Sequence, residues 1–185
     1  RVVLADPPAY TPPYDHELAS ALARAGVDVR LLTSRFRYGT VPAPGGYHLD
    51  DTLYPLASRV QRGRLRLAVK AVEHPLALGR LALLQADVCH VQWLAAPEVD
   101  AWLLRARAPL VLTAHDLLPR RTAHRRATWR RLFDRFSAVV VHSERGRRTL
   151  EEFGLSAERL RVIPHPVFRG ELCEAPTART VLAPA

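Results

Sequence analysis

A histidine and an aspartate, His115 and Asp116, stand side by side and are separated by two residues from the end of a short apolar run, Leu110 to Leu112. An uninterrupted apolar run of this length is typical of a strand that is buried on both faces of a parallel sheet. In open α/β sheets, ligands bind beyond the carboxyl ends of the strands. Two adjacent titratable groups at such a place are therefore candidates for catalysis.

Polar or aromatic residues also occupy the first loop and the ends of other predicted strands. The candidate substrate-binding residues among them are Tyr14, Asp15, His16, Gln92, Trp93 and His142. If the first strand neighbours the fourth, as a doubly wound sheet requires, these residues gather with His115 in one cleft. Plainer structural roles are open as well: Asp15 as a helix cap, Trp93 as a cover for the sheet edge, and His142 as a strand-end cap. His90, inside a strand, is more typical of a packed core residue.

The elements that position these residues alternate along the chain. Predicted strands cover residues 1–5, 27–33, 47–54, 87–92, 110–112, 138–141 and 161–163. Helices separate most of them, and Ser143 is placed to cap a helix that stops at Gly154. Pro75 is expected to break the helical segment that begins near Arg59 into two helices. The alternation predicts an α/β fold with a doubly wound, mostly parallel, Rossmann-like sheet.

Composition indicates one globular domain with a basic surface. The chain has 185 residues, of which 48% are hydrophobic, enough for a full core. It carries 27 basic and 18 acidic residues, a net charge of +9. This charge favours an anionic partner such as phosphate or a lipid headgroup, although arginine-rich coding is an alternative cause. Nucleic acid is not predicted, because no recognised binding module or aromatic stacking motif accompanies the charge.

Two predicted helices carry the basic residues. In the first, Leu65, Val69, Val72 and Leu76 recur at helical spacing, and the basic residues on another face are Arg62, Arg66 and Lys70. The second carries six arginines between residues 120 and 131. Such faces could lie on an anionic membrane surface, or they could simply be solvated.

Several reaction classes are not favoured by the motifs. The chain lacks the glycine-rich fingerprints of dinucleotide and P-loop sites, the Gly-x-Ser-x-Gly nucleophile elbow and the His-Glu-x-x-His zinc motif. His90, His115, Asp116 and His142 could supply metal ligands by number, but they form no compact motif, so neither a metal nor a cofactor is predicted.

The cellular location is predicted from what the sequence contains. Cys89 and Cys173 have no metal-ligand spacing, which favours a reducing compartment. There is no signal-peptide pattern and no apolar run long enough to span a bilayer. We therefore expect a cytoplasmic protein, with peripheral contact at the inner face of the membrane as an option. Because the chain opens on Arg1 within a strand, we expect it to be part of a longer protein.

Five segments, in this order, resemble the amino-terminal domain of retaining GT-B glycosyltransferases of family 4. These segments are Pro12 to Val29, Asp87 to Leu94, Val111 to Pro119, Val139 to Glu144 and Val162 to His165. The resemblance implies one half of a two-domain enzyme that transfers a sugar, typically a hexose, from a nucleotide sugar with retention of configuration. It also implies an acceptor-side domain over residues 1–170, and a linker with the start of a nucleotide-sugar domain over residues 171–185. This chain alone is then expected to be inactive.

The resemblance assigns roles to the candidate residues. His115 would face the reacting sugar, and we expect Asp116 to orient it. Arg120, Arg121 and Arg125 would attract a phosphate-bearing acceptor. The acceptor would be an envelope, lipid-linked or small molecule. The alternative is a non-catalytic α/β module that binds anions or membrane surfaces through its basic helices.

Overall fold

The computed structural model of the chain describes residues 1–118 and 124–166. Seven strands form a single sheet: β1 (Val2–Asp6), β2 (Val29–Ser34), β3 (His48–Leu53), β4 (Val88–Val91), β5 (Leu110–Thr113), β6 (Ala138–Val141) and β7 (Leu160–Val162). They lie in the order β3-β2-β1-β4-β5-β6-β7, and every neighbouring pair is parallel. The predicted α/β, Rossmann-like sheet is confirmed, including the pairing of β1 with β4.

Five helices connect the strands: α1 (Pro12–Arg24), α2 (Gly63–Leu83), α3 (Pro97–Leu103), α4 (Arg126–Phe133) and α5 (Glu144–Phe153). Ser143 caps α5 as predicted, because its hydroxyl accepts a hydrogen bond from the Gly146 amide at 3.1 Å. Gly154 ends α5 at φ 112°, a left-handed conformation that glycine adopts without a steric cost. None of the helices in the described residues is long and apolar enough to cross a membrane.

Two predicted helix boundaries are wrong. Pro75 lies inside the continuous helix α2, and does not divide it. Pro75 and Ala71 are both exposed, so water can satisfy the Ala71 carbonyl that loses its partner to the proline. Asp15 does not cap α1, which begins after Thr11 with a proline in its first turn and has no side-chain cap. Asp15 instead lies one turn inside the helix and is buried.

The face of α2 that packs against the rest of the protein is not the one that its apolar spacing predicts. The residues that face inward include Glu73, His74, Ala77, Leu78 and Leu81, and Arg66 and Lys70 are half-buried beside them. Lys70 places its ammonium group 4.7 Å from the centre of the Tyr54 ring. The apolar residues at 65, 72 and 76 point to solvent, so the predicted basic face is partly an internal face.

A buried polar network fixes α2 to its neighbours. The Tyr54 hydroxyl and His74 Nδ1 are 2.8 Å apart, and His74 Nε2 lies 2.8 Å from Asp100 Oδ1. Asp100 Oδ2 also accepts from the Ala96 amide at 3.0 Å, at the start of α3. The Glu73 carboxylate accepts from the amides of residues 56 and 57, each at 2.9 Å. The side chains of one helical turn therefore hold α2 against α3 and the segment after β3.

Candidate functional site

The carboxyl ends of β1, β4, β5 and β6 lie next to one another, and their following residues form one cleft. Gln92 and Trp93 follow β4, His115 comes two residues after β5, and His142 follows β6. Tyr14, in the first turn of α1, reaches the same place. The structure thus brings together five of the residues that the sequence predicted for the site.

His115 is held by contacts on both ring nitrogens and on one ring face. Its Nε2 lies 3.2 Å from Gln92 Oε1, and its Nδ1 lies 3.4 Å from His142 Nε2. The Trp93 indole stacks on the ring with centroids 4.9 Å apart and only 9° between the planes. Burial, followed by repulsion from the neighbouring histidines, lowers the pKa of His115 to about 4. His115 is therefore an uncharged hydrogen-bonding group at neutral pH.

A third histidine, His165, completes a cluster around the Tyr14 ring. The Tyr14 ring centre lies 4.7 Å from that of His115, 5.8 Å from that of His142 and 5.3 Å from that of His165. One nitrogen of each histidine lies within 4.8 Å of the other two. Among the described residues, these three histidines are the one cluster of three or more histidine, cysteine or carboxylate side chains that lie close enough together to hold a metal ion.

A cavity of about 210 Å³ opens beside His115. Gln92, Trp93, His115 and Asp116 provide its polar or aromatic lining, and the apolar lining includes Leu94, Leu112, Leu117, Trp129 and Phe133. Gln92 is 1% exposed, and its Nε2 has no hydrogen-bond partner. A buried amide without a partner costs free energy, so this donor is suited to an acceptor atom on a ligand.

The loop after β1 closes one wall of the cleft. Trp93 Nε1 donates to Thr11 Oγ1 at 2.8 Å, and the Tyr10 ring meets the indole edge-on at 5.4 Å. The sequence placed the loop at residues 6–16 beside the cleft without singling out Tyr10 or Thr11, and it did not assign His165 to the site. The signal for His165 was available, because it follows β7 as His142 follows β6.

Asp15 and His16 lie away from this cleft, towards β2. The buried Asp15 carboxyl interacts with Asp6, whose Oδ2 accepts from the Tyr10 amide at 2.8 Å. Burial, together with the charge of Asp6, raises the pKa of Asp15 to about 10, so the pair holds a proton at neutral pH. His16 Nδ1 hydrogen-bonds the Tyr47 hydroxyl, and burial lowers the pKa of His16. The structure gives both residues partners in the protein interior.

The remaining predicted site residues are Asp116 and three arginines. Asp116 is exposed at the cavity wall, and the hydrogen-bond contacts of His115 among the described residues are with Gln92 and His142. The Arg125 guanidinium lies 3.0 Å from the Glu98 carboxylate. The predicted residues Arg120 and Arg121 lie outside the described residues, as does the predicted linker at 171–185.

The chain is similar to one known protein family. A family model described as Glycosyltransferase Family 4 matches residues 14–168. A search of curated proteins found no significant match. The matched range runs from Tyr14 past His165 and includes the ends of β4, β5 and β6 that contribute to the cleft. The match spans well over half of the length of the chain. The chain therefore belongs to glycosyltransferase family 4.

Proposed function

We propose that the chain is the acceptor-side half of a retaining hexosyltransferase, which moves a sugar from a nucleotide-sugar donor to an acceptor hydroxyl. Membership of the family indicates glycosyl transfer in general. The observation that carries the finer proposal is the cavity beside His115, which is lined by an uncharged imidazole and by Gln92, whose Nε2 has no hydrogen-bond partner. Both can hydrogen-bond sugar or acceptor oxygens without a charge that must be neutralised.

The cavity lining favours an acceptor with an apolar part. Leu112, Trp129 and Phe133 line its inner side, whereas Trp93 and His115 lie together as a stacked pair that a sugar ring can contact. Burying an apolar group there contributes about 25 cal/mol for each Å² removed from water. A lipid-linked or otherwise apolar acceptor, with its reacting hydroxyl near His115, fits this lining better than a free polar sugar does.

The test is turnover of nucleotide sugars by full-length protein carrying His115→Ala. Loss of a positioned polar contact to the reacting sugar should reduce turnover by about 10²-fold or more. His48→Ala, which removes an exposed histidine on β3, is the matched control and should keep wild-type turnover. Equal turnover of His115→Ala and wild type would sink the proposed role.

Gln92→Leu tests the acceptor contact separately. The substitution keeps the approximate size of this cavity-lining side chain but removes its amide. We expect the KM for the acceptor to rise by about tenfold, since one hydrogen bond is worth about 1 kcal/mol or slightly more. A KM that rises only for the nucleotide sugar would place Gln92 on the donor side and contradict this assignment.

Helix α4 does not favour the alternative function, a non-catalytic module that binds anions or membrane surfaces through its basic helices. Several of its arginines already have partners within the protein. The Arg131 guanidinium lies 3.4 Å from the centre of the Trp102 ring, and Arg126 lies 4.7 Å from the centre of the Phe153 ring. Arg125 pairs with Glu98 at the start of α3.

Peripheral contact with an anionic membrane is supported by another surface, the outer face of α2. From residue 65 to residue 83 the exposed positions of this helix carry only apolar residues or glycine: Leu65, Leu67, Ala68, Ala71, Val72, Pro75, Leu76, Gly79 and Leu83. Val72 is 74% exposed and Leu76 is 72% exposed. Arg59, Arg62 and Arg64 are exposed at the amino-terminal end of this face. An apolar helix face with arginines at its border matches the interface of an anionic bilayer.

Sedimentation with vesicles that contain anionic lipid tests this contact. The double substitution Val72→Ser and Leu76→Ser should weaken binding by at least about tenfold, because each side chain loses more than 1 kcal/mol of apolar burial. Tyr38→Ser, which removes an aromatic side chain that is 80% exposed outside α2, is the control. Equal binding by the double variant and wild type would exclude α2 as the contact. Self-association that the double substitution abolishes would instead assign the face to a second copy of the chain.

A further inference from the structure

We propose that His115, His142 and His165 form a binding site for a divalent transition-metal ion of the Zn²⁺, Co²⁺ or Ni²⁺ class. The three residues follow β5, β6 and β7, and one nitrogen of each lies within 4.8 Å of the other two. No short motif contains them, because each comes from a different loop, and a scan of the sequence for compact zinc patterns therefore passes over the cluster.

The separation of two of the nitrogens suits a single ion. His115 Nδ1 and His142 Nε2 are 3.4 Å apart. Two ligands of a tetrahedral Zn²⁺ ion, each about 2.0–2.1 Å from the metal, are separated by roughly 3.3–3.4 Å. The spacing of these two nitrogens therefore already matches that of two ligands of one ion.

The outer nitrogens of both rings have hydrogen-bond acceptors. His142 Nδ1 lies 2.9 Å from the carbonyl oxygen of Ile163, and His115 Nε2 lies 3.2 Å from Gln92 Oε1. With these acceptors, the hydrogens can be assigned to the outer nitrogens, which leaves the lone pairs of both inner nitrogens for a metal ion. Hydrogen bonds from the outer nitrogen to a carbonyl oxygen are the usual support of a metal-binding histidine.

The ligand set selects the class of ion. Three neutral imidazoles suit Zn²⁺, Co²⁺ and Ni²⁺, whereas Mg²⁺ and Ca²⁺ prefer oxygen ligands. His165 is exposed, so the third ligand stands at the open side of the cleft. A three-histidine site that is open to solvent leaves the fourth position for water or for an oxygen atom of a ligand.

The consequence for activity rests on the proposed function. An ion bound to His115 occupies the nitrogen that faces His142 and fills the space between the rings. Metal binding and sugar binding at His115 should therefore exclude each other. Zn²⁺ would then inhibit transfer, and a chelator would restore it.

The test is titration of full-length protein with Co²⁺, followed by the visible absorption that tetrahedral coordination produces. We expect one ion per chain in the wild type, and affinity at least about tenfold weaker in His165→Ala and in His142→Ala. His165 is exposed, so its substitution leaves the folded core intact. His48→Ala should bind Co²⁺ as the wild type does.

Two results would overturn the site: no visible band in the wild type, or a band that both His142→Ala and His165→Ala retain at full affinity. Neither depends on turnover, so the outcome is separate from the fate of the proposed glycosyl transfer. If the Co²⁺ site is present and Zn²⁺ leaves the turnover unchanged, the ion and the sugar do not compete, and the inferred inhibition is wrong.

Discussion

The buried carboxyl pair of Asp6 and Asp15 predicts that the protein loses stability as the pH rises above neutrality. The pKa of Asp15 is raised to about 10 by burial and by the charge of Asp6, whereas an unfolded aspartate titrates near about 3.9. Between these pKa values the folded chain holds a proton that the unfolded chain has released. The free energy of unfolding therefore falls with rising pH, by up to about 1.4 kcal/mol per pH unit for one proton.

Asp15→Asn isolates this contribution. The amide keeps the size of the side chain and can still donate a hydrogen bond to Asp6, but it does not titrate. We expect urea denaturation to show that wild type loses up to about 3 kcal/mol more stability than Asp15→Asn between about pH 6.5 and 8.5. Histidines and other shared groups cancel in this difference.

Asp134→Asn, which changes an exposed aspartate, is the matched control and should keep the wild-type slope. Parallel stability profiles for wild type and Asp15→Asn would refute the reasoning, because they would show that Asp15 is already ionised in the folded protein.

Substitutions at three further positions test the packing of α2 and the cap of α5. His74→Ala removes the shared hydrogen-bond partner of the buried residues Asp100 and Tyr54, so it should lower the free energy of unfolding by about 3 kcal/mol. An unchanged urea midpoint would show that the network does not stabilise the fold. Gly79→Ala, with no atom within 4 Å of the added methyl group, should stabilise α2 by about 1 kcal/mol and raise the Tm. Ser143→Ala should lower the free energy of unfolding in urea by about 1 kcal/mol. Ser143→Asp should retain most of the wild-type stability, since aspartate also caps helices.

The strands were predictable because parallel strands that are buried on both faces carry short apolar runs. Ala138–Val141 matches its prediction at both ends, and Leu110–Thr113 differs by one residue. Helix α2 was less predictable. Periodicity shows that a helix has distinct faces, but it does not show which one packs. Here the buried hydrogen bonds of Glu73 and His74 fix which face of α2 packs against the protein.

The convergence of Gln92, Trp93, His115 and His142 was predictable, because the carboxyl ends of parallel strands share one edge of the sheet. The prediction for residues 14–16 was less accurate for a geometric reason. Successive residues of a helix point about 100° apart, so three in a row cannot all face one cleft. Only Tyr14 does so, and the next two side chains meet partners in the interior. The pairing of each His115 ring nitrogen with Gln92 or His142 required three-dimensional information, because the sequence does not set the orientation of the side chains.

The pairing of β1 with β4 has a consequence for the order of folding. Every other strand pair joins positions between 18 and 27 residues apart, such as Val2 with Val29, whereas β1 joins β4 through Val2 and Val88, which are 86 residues apart. Closing the longer loop costs about 1 kcal/mol more in chain entropy. We therefore expect β1 to β3 and β4 to β7 to form as separate units that join late. The cleft spans this junction, so its geometry becomes complete only in that last step.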